Sequence, residues 1–457
     1  MMRQAGWGRG LVLLLSVCCL SAWPAGQATT AAPPSASTQG ELLLRLADDV
    51  AREVEQLRGW KFKRPVRKER IPVARARQDI YRMLLAADKP AHRARVQAFL
   101  RVAGLIPPDG DLLSTSLTVL DQQVAGYYEP ATRTLRLIDR PNPMPAFVER
   151  MILSHELTHA LDDQYIDLDG LMKSGNGTED TEFVATAIAE GSATSLMLQH
   201  MFAAQKSGHF SLSDLSQYVT EELERARTLE QLPRYFSAMF ASYVVGAAFL
   251  AKGELATLLT QADNRAVGEA LLIARRALPR SSEQVLHAEK YWDATRRDEP
   301  VIINDKAMDL WLDLPGRHIV HRDTLGELLT AILTEPRDTP RDLAKLQSVG
   351  AWTNAGAAGW GGDRFYLMAN RTGPDVLRTT KGLQGVWVTA WDTPKDRDEF
   401  LAALEKGSAA PNSVSVPVGR QLAVVFMAID PRERESLLRR LALLPLPMTQ
   451  AGLMWKQ

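Results

Sequence analysis

The chain has 457 residues, a formal net charge of zero and a hydrophobic content of 46%. This length predicts two or three domains rather than one small domain, and the apolar fraction is sufficient for packed cores. The balanced charge argues against a nucleic-acid-binding protein, because such proteins carry a basic excess.

The N-terminus has the pattern of an export signal. Arg3 and Arg9 precede a short apolar run at 11–20, as in the charged and apolar regions of a secretory signal peptide. Gly26-Gln27-Ala28 supplies the small residues of a cleavage site, and Cys19-Leu20-Ser21 is an alternative. Residues 1–28 are predicted to be removed on export to the periplasm or the exterior. The apolar run is too short for a membrane span, and the mature chain is predicted to have none.

A proline-, serine- and alanine-rich stretch at 29–40 is predicted to be a disordered linker. Both cysteines, Cys18 and Cys19, lie in the signal segment, so the mature chain is predicted to contain neither a disulfide nor a reactive thiol. Acylation of Cys18 would give a lipid anchor, but Val17 stands where lipoprotein signals have a small residue. The anchored form is therefore the less favoured alternative.

The segment 41–120 is predicted to be an N-terminal helical region. Apolar periodicity indicates helices at 41–58, 77–87 and 91–104, with an extended stretch at 62–74.

Two short strands, at 123–130 and 134–138, are predicted to form a β-hairpin. The edge strand of such a hairpin can pair with an extended peptide. A purely structural role is the alternative that the sequence leaves open.

The next segment carries the pattern His155-Glu156-Leu157-Thr158-His159 at the end of an apolar helical run. Residues four apart lie on one helix face, so both imidazoles can reach one metal ion. Val148 and Ile152 continue the same face, which indicates that the histidines are buried rather than solvated. Zinc favours such nitrogen ligands.

Glu190 lies in a second predicted helix at 181–200, among alanines. A carboxylate buried there without a partner would be costly, and a metal ion is a natural partner. His155, His159 and Glu190 are thus predicted to bind one zinc ion, with one coordination position open for water. Glu156 is predicted to be the general base that accepts a proton from that water.

The uncharged segment 235–251 is predicted to be a buried core helix whose small residues permit close packing. From about residue 301 the pattern changes to a small α+β unit. Its predicted elements are a helix at 324–333, a turn at 359–363, strands at 364–368, 385–391 and 421–428, and helices at 394–404 and 431–444. Trp360, Trp387 and Trp391 are predicted to be core aromatics of this unit.

The sequences HELTHALDDQ (155–164) and AEGSA (189–193) resemble the gluzincin group of zinc metallopeptidases. They are similar in particular to poorly characterised secreted bacterial proteins with a HELTHAL-x-DQ core. The resemblance implies the same three ligands and the same base. It implies an α+β, mostly helical fold, with a zincin-like metallopeptidase domain at 121–300 and a C-terminal α+β domain at 301–457.

Tyr243 is the candidate donor to the oxyanion of the reaction, because Tyr243 to Ala247 resembles the Tyr-x-x-Gly-Ala stretch of aminopeptidases with a related core. Tyr235 and His287 are the alternatives. Asp163 is favoured over Asp162 as the residue that orients a ligand imidazole.

Those aminopeptidases grip the substrate amine with a Glu on a Gly-x-Met-x-Asn strand. Here Gly126-Tyr127-Tyr128-Glu129-Pro130 stands at the comparable place and does not match. Glu129 is a candidate for that part only by position, so the sequence selects no cleavage specificity.

The sequence thus predicts an exported zinc-dependent metallopeptidase that acts on a peptide or protein substrate. The alternative is a secreted envelope or binding protein with a structural or vestigial zinc site. A structural zinc ion is closed by four protein ligands. Three ligands and an intact Glu156 favour the enzyme.

Overall fold

The computed structural model describes residues 36–441 except 88, 124–125, 140–143, 176, 212, 215, 219, 221–230, 262, 340–344 and 408–412. The predicted signal peptide lies outside the described residues, and so do both cysteines. The predicted linker is wrong over its last five residues, because a helix begins at Ala36. An established amphipathic helix extends readily at its end, since each further residue adds a hydrogen bond without a new nucleation step.

The helices and strands are named here in chain order. The helices are α1 (Ala36–Arg58), α2 (Val73–Ala87), α3 (Pro90–Ala103), α4 (Leu112–Gln123), α5 (Ala146–Ile166), α6 (Leu168–Ser174), α7 (Glu179–Lys206), α8 (Arg234–Leu250), α9 (Leu255–Thr260), α10 (Arg265–Arg276), α11 (Ser282–Leu286), α12 (Glu289–Trp292), α13 (Asp305–Trp311), α14 (Gly326–Thr334), α15 (Pro394–Lys406) and α16 (Pro431–Leu441). The strands are β1 (Arg67–Pro72), β2 (Gly126–Glu129), β3 (Thr134–Asp139), β4 (His318–Asp323), β5 (Trp360–Ala369), β6 (Leu383–Trp391), β7 (Val414–Val418) and β8 (Leu422–Met427). The α+β, mostly helical fold class is confirmed.

The smaller sheet has the order β1-β3-β2. β2 and β3 pair in antiparallel fashion, with Tyr128 opposite Leu135, so the predicted hairpin is confirmed. β1 adds to β3 in parallel. β2 is therefore an edge strand, and it packs against α5.

The larger sheet is antiparallel, in the order β4-β5-β6-β8-β7. Alternate residues of a strand point to opposite faces. On one face Phe365, Trp387 and Val425 join the core that contains α7 and α8. On the other face Tyr366 and Phe426 pack with residues of α13 and α16. Both faces are covered, so every residue of the central strands β6 and β8 is buried.

The sequence prediction for the larger sheet is correct in its centre and wrong at two places. The turn predicted at 359–363 is instead the start of β5, with an irregular register between Trp360 and Gly362. A Cβ at Gly362 would overlap the carbonyl oxygen of Val301, so this glycine permits a close backbone approach within a strand. β4 and β7 have no counterpart in the prediction.

Trp360, Trp387 and Trp391 are at most 1% exposed, which confirms their prediction as core aromatics. Trp387 and Trp391 both pack on Phe400 of α15, the first edge to face and the second stacked. They help to join the sheet to its covering helix.

The apolar segment predicted as a core helix is α8, which packs along α7. A Cβ at Gly191 or at Gly246 would overlap the backbone of the facing helix. These two glycines therefore bring the helix axes together at one crossing point. Within the described part of the chain, no helix has the length and apolar character that crossing a membrane requires.

One hydrophobic core runs through the chain from α3 to β8. Phe99 of α3, Val184 of α7, Leu328 of α14 and Trp387 of β6 belong to it together. The helices on both sides of residue 300 thus share packing with the C-terminal sheet. The boundary between two domains at residue 300 therefore stays a prediction.

Candidate metal centre

The helix α5 carries the His-Glu-x-x-His pattern through the interior of the protein. It begins after Pro145 and ends at Asp167, whose backbone has φ of 55°. Proline suits the start of a helix, and a left-handed residue commonly ends one. His155 and Glu156 are fully buried, and His159 is 1% exposed. The predicted burial of the histidine pair is therefore confirmed.

The three predicted ligands converge. His155 Nε2 lies 3.2 Å from Glu190 Oε2 and 3.0 Å from His159 Nε2. His159 Nε2 lies 3.6 Å from Glu190 Oε2. Zinc ligands at 2.0–2.1 Å in tetrahedral arrangement are separated by about 3.3 Å. The three observed separations bracket this value, so the donor atoms fit one zinc ion without rearrangement.

The electrostatics of the three groups also suit a cation. Burial raises the pKa of Glu190, but the two histidines outweigh it and leave this pKa below its usual value. Burial lowers the pKa of His155, whereas the carboxylate of Glu190 outweighs burial at His159 and raises its pKa to about 9. A buried carboxylate thus stays ionised against two imidazoles, and a divalent ion would satisfy all three.

A second acidic group, formed by Glu283, Asp298 and Asp392, also brings carboxylate oxygens together among the described residues. The ammonium of Lys290 lies among them, at 2.6 Å from Glu283, 3.0 Å from Asp298 and 3.1 Å from Asp392. This cluster already has its cation. No lysine or arginine of the described ranges pairs with Glu190, whose partners are the two histidines.

Glu156 is held by the hairpin. The backbone N–H of Tyr128 in β2 donates to Glu156 Oε2 at 2.7 Å. The outer edge of β2 therefore faces the helix turn that carries the metal ligands. The sequence predicts the hairpin but not this contact, because the strand's pattern does not reveal which of its N–H groups face outward.

Asp163 does not orient a ligand imidazole, so this prediction is wrong. Its Oδ2 accepts from the Tyr128 hydroxyl at 2.8 Å, and its Oδ1 accepts from the backbone N–H of Leu168 at 3.0 Å. Asp163 lies near the end of α5, where the backbone N–H groups that begin α6 have no partner within their own helix. It accepts a hydrogen bond from one of them and is not available to the histidines. Among the residues that the structure describes, none forms a hydrogen bond with Nδ1 of His155 or His159.

Asp162 belongs to a buried network of hydrogen bonds and an ion pair that the sequence does not predict. It accepts from the Ser192 hydroxyl at 2.6 Å, and the fully buried Arg58 lies 3.4 Å from it and donates to Ser192 Oγ at 2.8 Å. The network joins α1, α5 and α7 beside the metal ligands. An arginine at the end of an amphipathic helix is usually exposed, so the sequence around Arg58 does not predict its burial.

Tyr243 lies close to the metal ligands, with its ring centre 6.0 Å from that of His155. The hydroxyl of the alternative Tyr235 donates to Glu179 at 2.7 Å, and the alternative His287 hydrogen-bonds Glu327 at 2.9 Å. Both are engaged by carboxylates away from the ligand atoms. Tyr243 therefore remains the best placed of the three.

Glu129, the positional candidate for gripping a substrate amine, forms an ion pair with Arg136 at 3.0 Å. Its carboxylate is directed into the hairpin itself. The geometry adds no support for an amine-binding role.

A cavity of about 100 Å³ adjoins the candidate centre. Glu190 and Tyr243 both line it, and its remaining walls come mainly from α7, α8 and α14. The candidate centre is thus next to a space within the protein and not sealed on all sides by side chains.

The sequence profile of a family described as a domain of unknown function (DUF8575) matches residues 316–433. The match begins just before β4 and ends in α16, so it covers the larger sheet and leaves out the helices with the metal ligands. No curated protein and no solved structure matches the chain.

Proposed function

We propose that this protein is a zinc-dependent metallopeptidase of the gluzincin type, with a zincin-like core around α5 and α7. The single observation that carries the proposal is the convergence of His155 Nε2, His159 Nε2 and Glu190 Oε2 at separations of 3.0–3.6 Å. The three groups come from two helices and are buried. Such a donor set has the composition and open position of catalytic zinc sites.

His155, His159 and Glu190 would hold the metal. When bound there, zinc supplies a Lewis acid that polarises a carbonyl and makes a water acidic at neutral pH. Glu156 lies on the same helix turn, with its carboxylate oriented by the Tyr128 N–H. It accepts the proton of the attacking water and returns it to the leaving amine, as a general base and then a general acid.

Tyr243 is the proposed donor to the oxygen that becomes negative when the carbonyl is attacked. Its support is its place beside His155, together with its position in the lining of the cavity. A hydrogen bond from a phenol is stronger when its acceptor is charged, so it stabilises the developing oxyanion more than the neutral carbonyl.

The proposed substrate is a peptide or protein outside the cytoplasm. The pattern of residues 1–28 supports export, and the chain has no overall basic excess of the kind that nucleic-acid-binding proteins carry. The protein would act in the periplasm or the exterior.

The test compares the wild-type protein with Glu156→Gln on a mixed peptide library, with bound zinc measured by mass spectrometry. We expect one zinc per chain in both proteins, and cleavage slower by roughly 10²–10⁴-fold in the variant, the usual contribution of a general base. Glu149→Gln is the matched control, since it makes the same change in the first turn of α5, outside the site. Zinc binding without cleavage by the wild type would instead support a binding protein with a structural site.

A further inference from the structure

The cavity beside the candidate centre lies between residues of α7 and α8, on the N-terminal side of their crossing point. The two helices touch at Gly191 and Gly246. The lining residues of both helices precede these glycines in the chain, among them Phe183 on α7 and Met239 on α8.

The wall that faces the metal ligands follows one face of α7. Phe183 and Thr186 line the cavity together with Glu190, and they precede it by seven and four residues, which is helical spacing. A substrate group in the cavity would thus lie beside a metal ligand. This places the cavity next to the bond that the proposed enzyme cleaves.

The opposite wall comes from the C-terminal part of the chain. Leu325, Leu328 and Leu329, at the start of α14, line the cavity. All three lie within the segment 316–433 that matches the sequence family. The C-terminal unit therefore completes a space that the metal-bearing helices leave open.

The lining is chiefly apolar, and its four carboxylates already interact with other residues, Glu182 among them. Glu179 accepts from the Tyr235 hydroxyl, and Asp180 accepts from the backbone N–H of Ser282 at 2.8 Å. Glu190 faces the two imidazoles. The cavity thus favours an apolar group over a cationic one, since a cation would have to compete for carboxylates already engaged.

The volume selects the size of the group. An apolar cavity of about 150 Å³ holds a benzene molecule, and the present cavity measures about 100 Å³. A branched aliphatic side chain of four carbons has the size and the apolar character that suit this space. Burying such a group removes apolar surface from water and strengthens binding.

We infer that this cavity is the specificity pocket of the proposed peptidase, and that it takes a leucine-sized aliphatic side chain next to the scissile bond. The inference rests on the proposed function. It assigns a role to α14 and with it to the C-terminal unit: the unit forms one wall of the pocket that selects the substrate.

The test uses the zinc-loaded full-length protein and three hydroxamates that share a metal-binding group, measured by calorimetry. They carry a methyl, an isobutyl or an aminobutyl group. We expect the isobutyl compound to bind at least tenfold more tightly than the methyl compound. Equal binding of these two, or tightest binding of the aminobutyl compound, would overturn the apolar pocket.

Two variants locate the effect. Ala238→Leu fills the cavity from α8 and is expected to abolish the isobutyl preference while the methyl compound binds as before. Leu328→Ala enlarges the cavity and is expected to shift the preference toward a benzyl hydroxamate, whereas Leu333→Ala, on the same helix and buried elsewhere in the core, leaves it unchanged. An isobutyl preference retained in Ala238→Leu would overturn the assignment.

The outcomes separate the two proposals. A protein that binds zinc and hydroxamates but does not distinguish them keeps the proposed function and loses the pocket. A protein that binds no zinc and no hydroxamate loses the proposed function, and the pocket inference falls with it.

Discussion

The helices around the candidate centre and the C-terminal sheet bury different kinds of residue. Around the centre, Glu156, His159, Asp162 and Glu190 are at most 1% exposed. In the sheet, β6 and β8 bury an almost continuous apolar run on both faces. Buried charges are costly unless they are paired or bind a metal, whereas buried apolar surface stabilises directly. The first region therefore contains the buried charged groups of the proposed metal site, whereas the second consists mainly of apolar residues that stabilise the fold.

The largest effect on stability is expected in the sheet. Trp387→Ala should lower the free energy of unfolding by about 3–5 kcal/mol, because it removes a large, fully buried ring and leaves a cavity. Zinc bound per folded chain should not change. Urea unfolding and metal analysis on the same sample check both statements. A variant that folds normally but loses zinc would contradict the view that the sheet contributes to stability and not to zinc binding.

Zinc removal should produce the next largest change, in the helices. An ion that binds only the folded protein stabilises it by about 2.7 kcal/mol at a concentration one hundred times its dissociation constant. Thermal unfolding with zinc and with a chelator measures this difference. The difference should persist in His209→Ala, an exposed histidine, and vanish in His155→Ala. Equal melting temperatures of the wild type with and without zinc would contradict the metal site.

The crossing of α7 and α8 is expected to affect both the stability of the fold and the binding of zinc. Gly246→Ala puts a methyl group against the carbonyl oxygen of Ala187 and is expected to cost about 1–3 kcal/mol of stability through overpacking. It should also weaken zinc binding, because the helix that must move carries Glu190. Gly350→Ala is the control, since a Cβ there meets no atom within 4 Å. Unchanged zinc affinity in the Gly246 variant would contradict this expectation, because it would show that the packing of α7 against α8 does not set the position of Glu190.

The smallest expected effect on stability concerns the hairpin. Tyr128→Phe removes the hydrogen bond to Asp163, which is worth about 1 kcal/mol. It should lower kcat severalfold with little change in KM, because the same residue's N–H orients Glu156. Tyr127→Phe is the neighbouring control, since the buried Tyr127 hydroxyl has no hydrogen-bond partner within the described part of the chain. Equal kinetics in both variants would show that the hairpin does not position the base.

Local sequence patterns predicted much of this molecule. Helical spacing gave α5 with its two histidines on one buried face, and alternation gave the hairpin and the central strands β6 and β8. Glu190 was found because a carboxylate among alanines is a local anomaly. These features depend on residues close together in the chain, so they can be recognised without knowledge of the fold.

The remaining features depend on contacts between distant segments. Nothing near Arg58 indicates that it will be buried against Asp162. The groups that donate hydrogen bonds to Asp163 lie on β2 and α6 rather than on its own helix. Gly361 and Gly362 resemble a turn, yet the close approach of Val301 makes them part of a strand. The cavity shared by α7, α8 and α14 likewise follows from packing across the whole chain.

The central claim is that His155, His159 and Glu190 bind one zinc ion with a position left open. X-ray absorption at the zinc edge of the purified protein tests it most directly. The account predicts one zinc per chain with nitrogen and oxygen neighbours at about 2.0–2.1 Å, including two imidazoles, and loss of the ion in His155→Ala. A protein without zinc, or with an unchanged zinc spectrum in that variant, would contradict it.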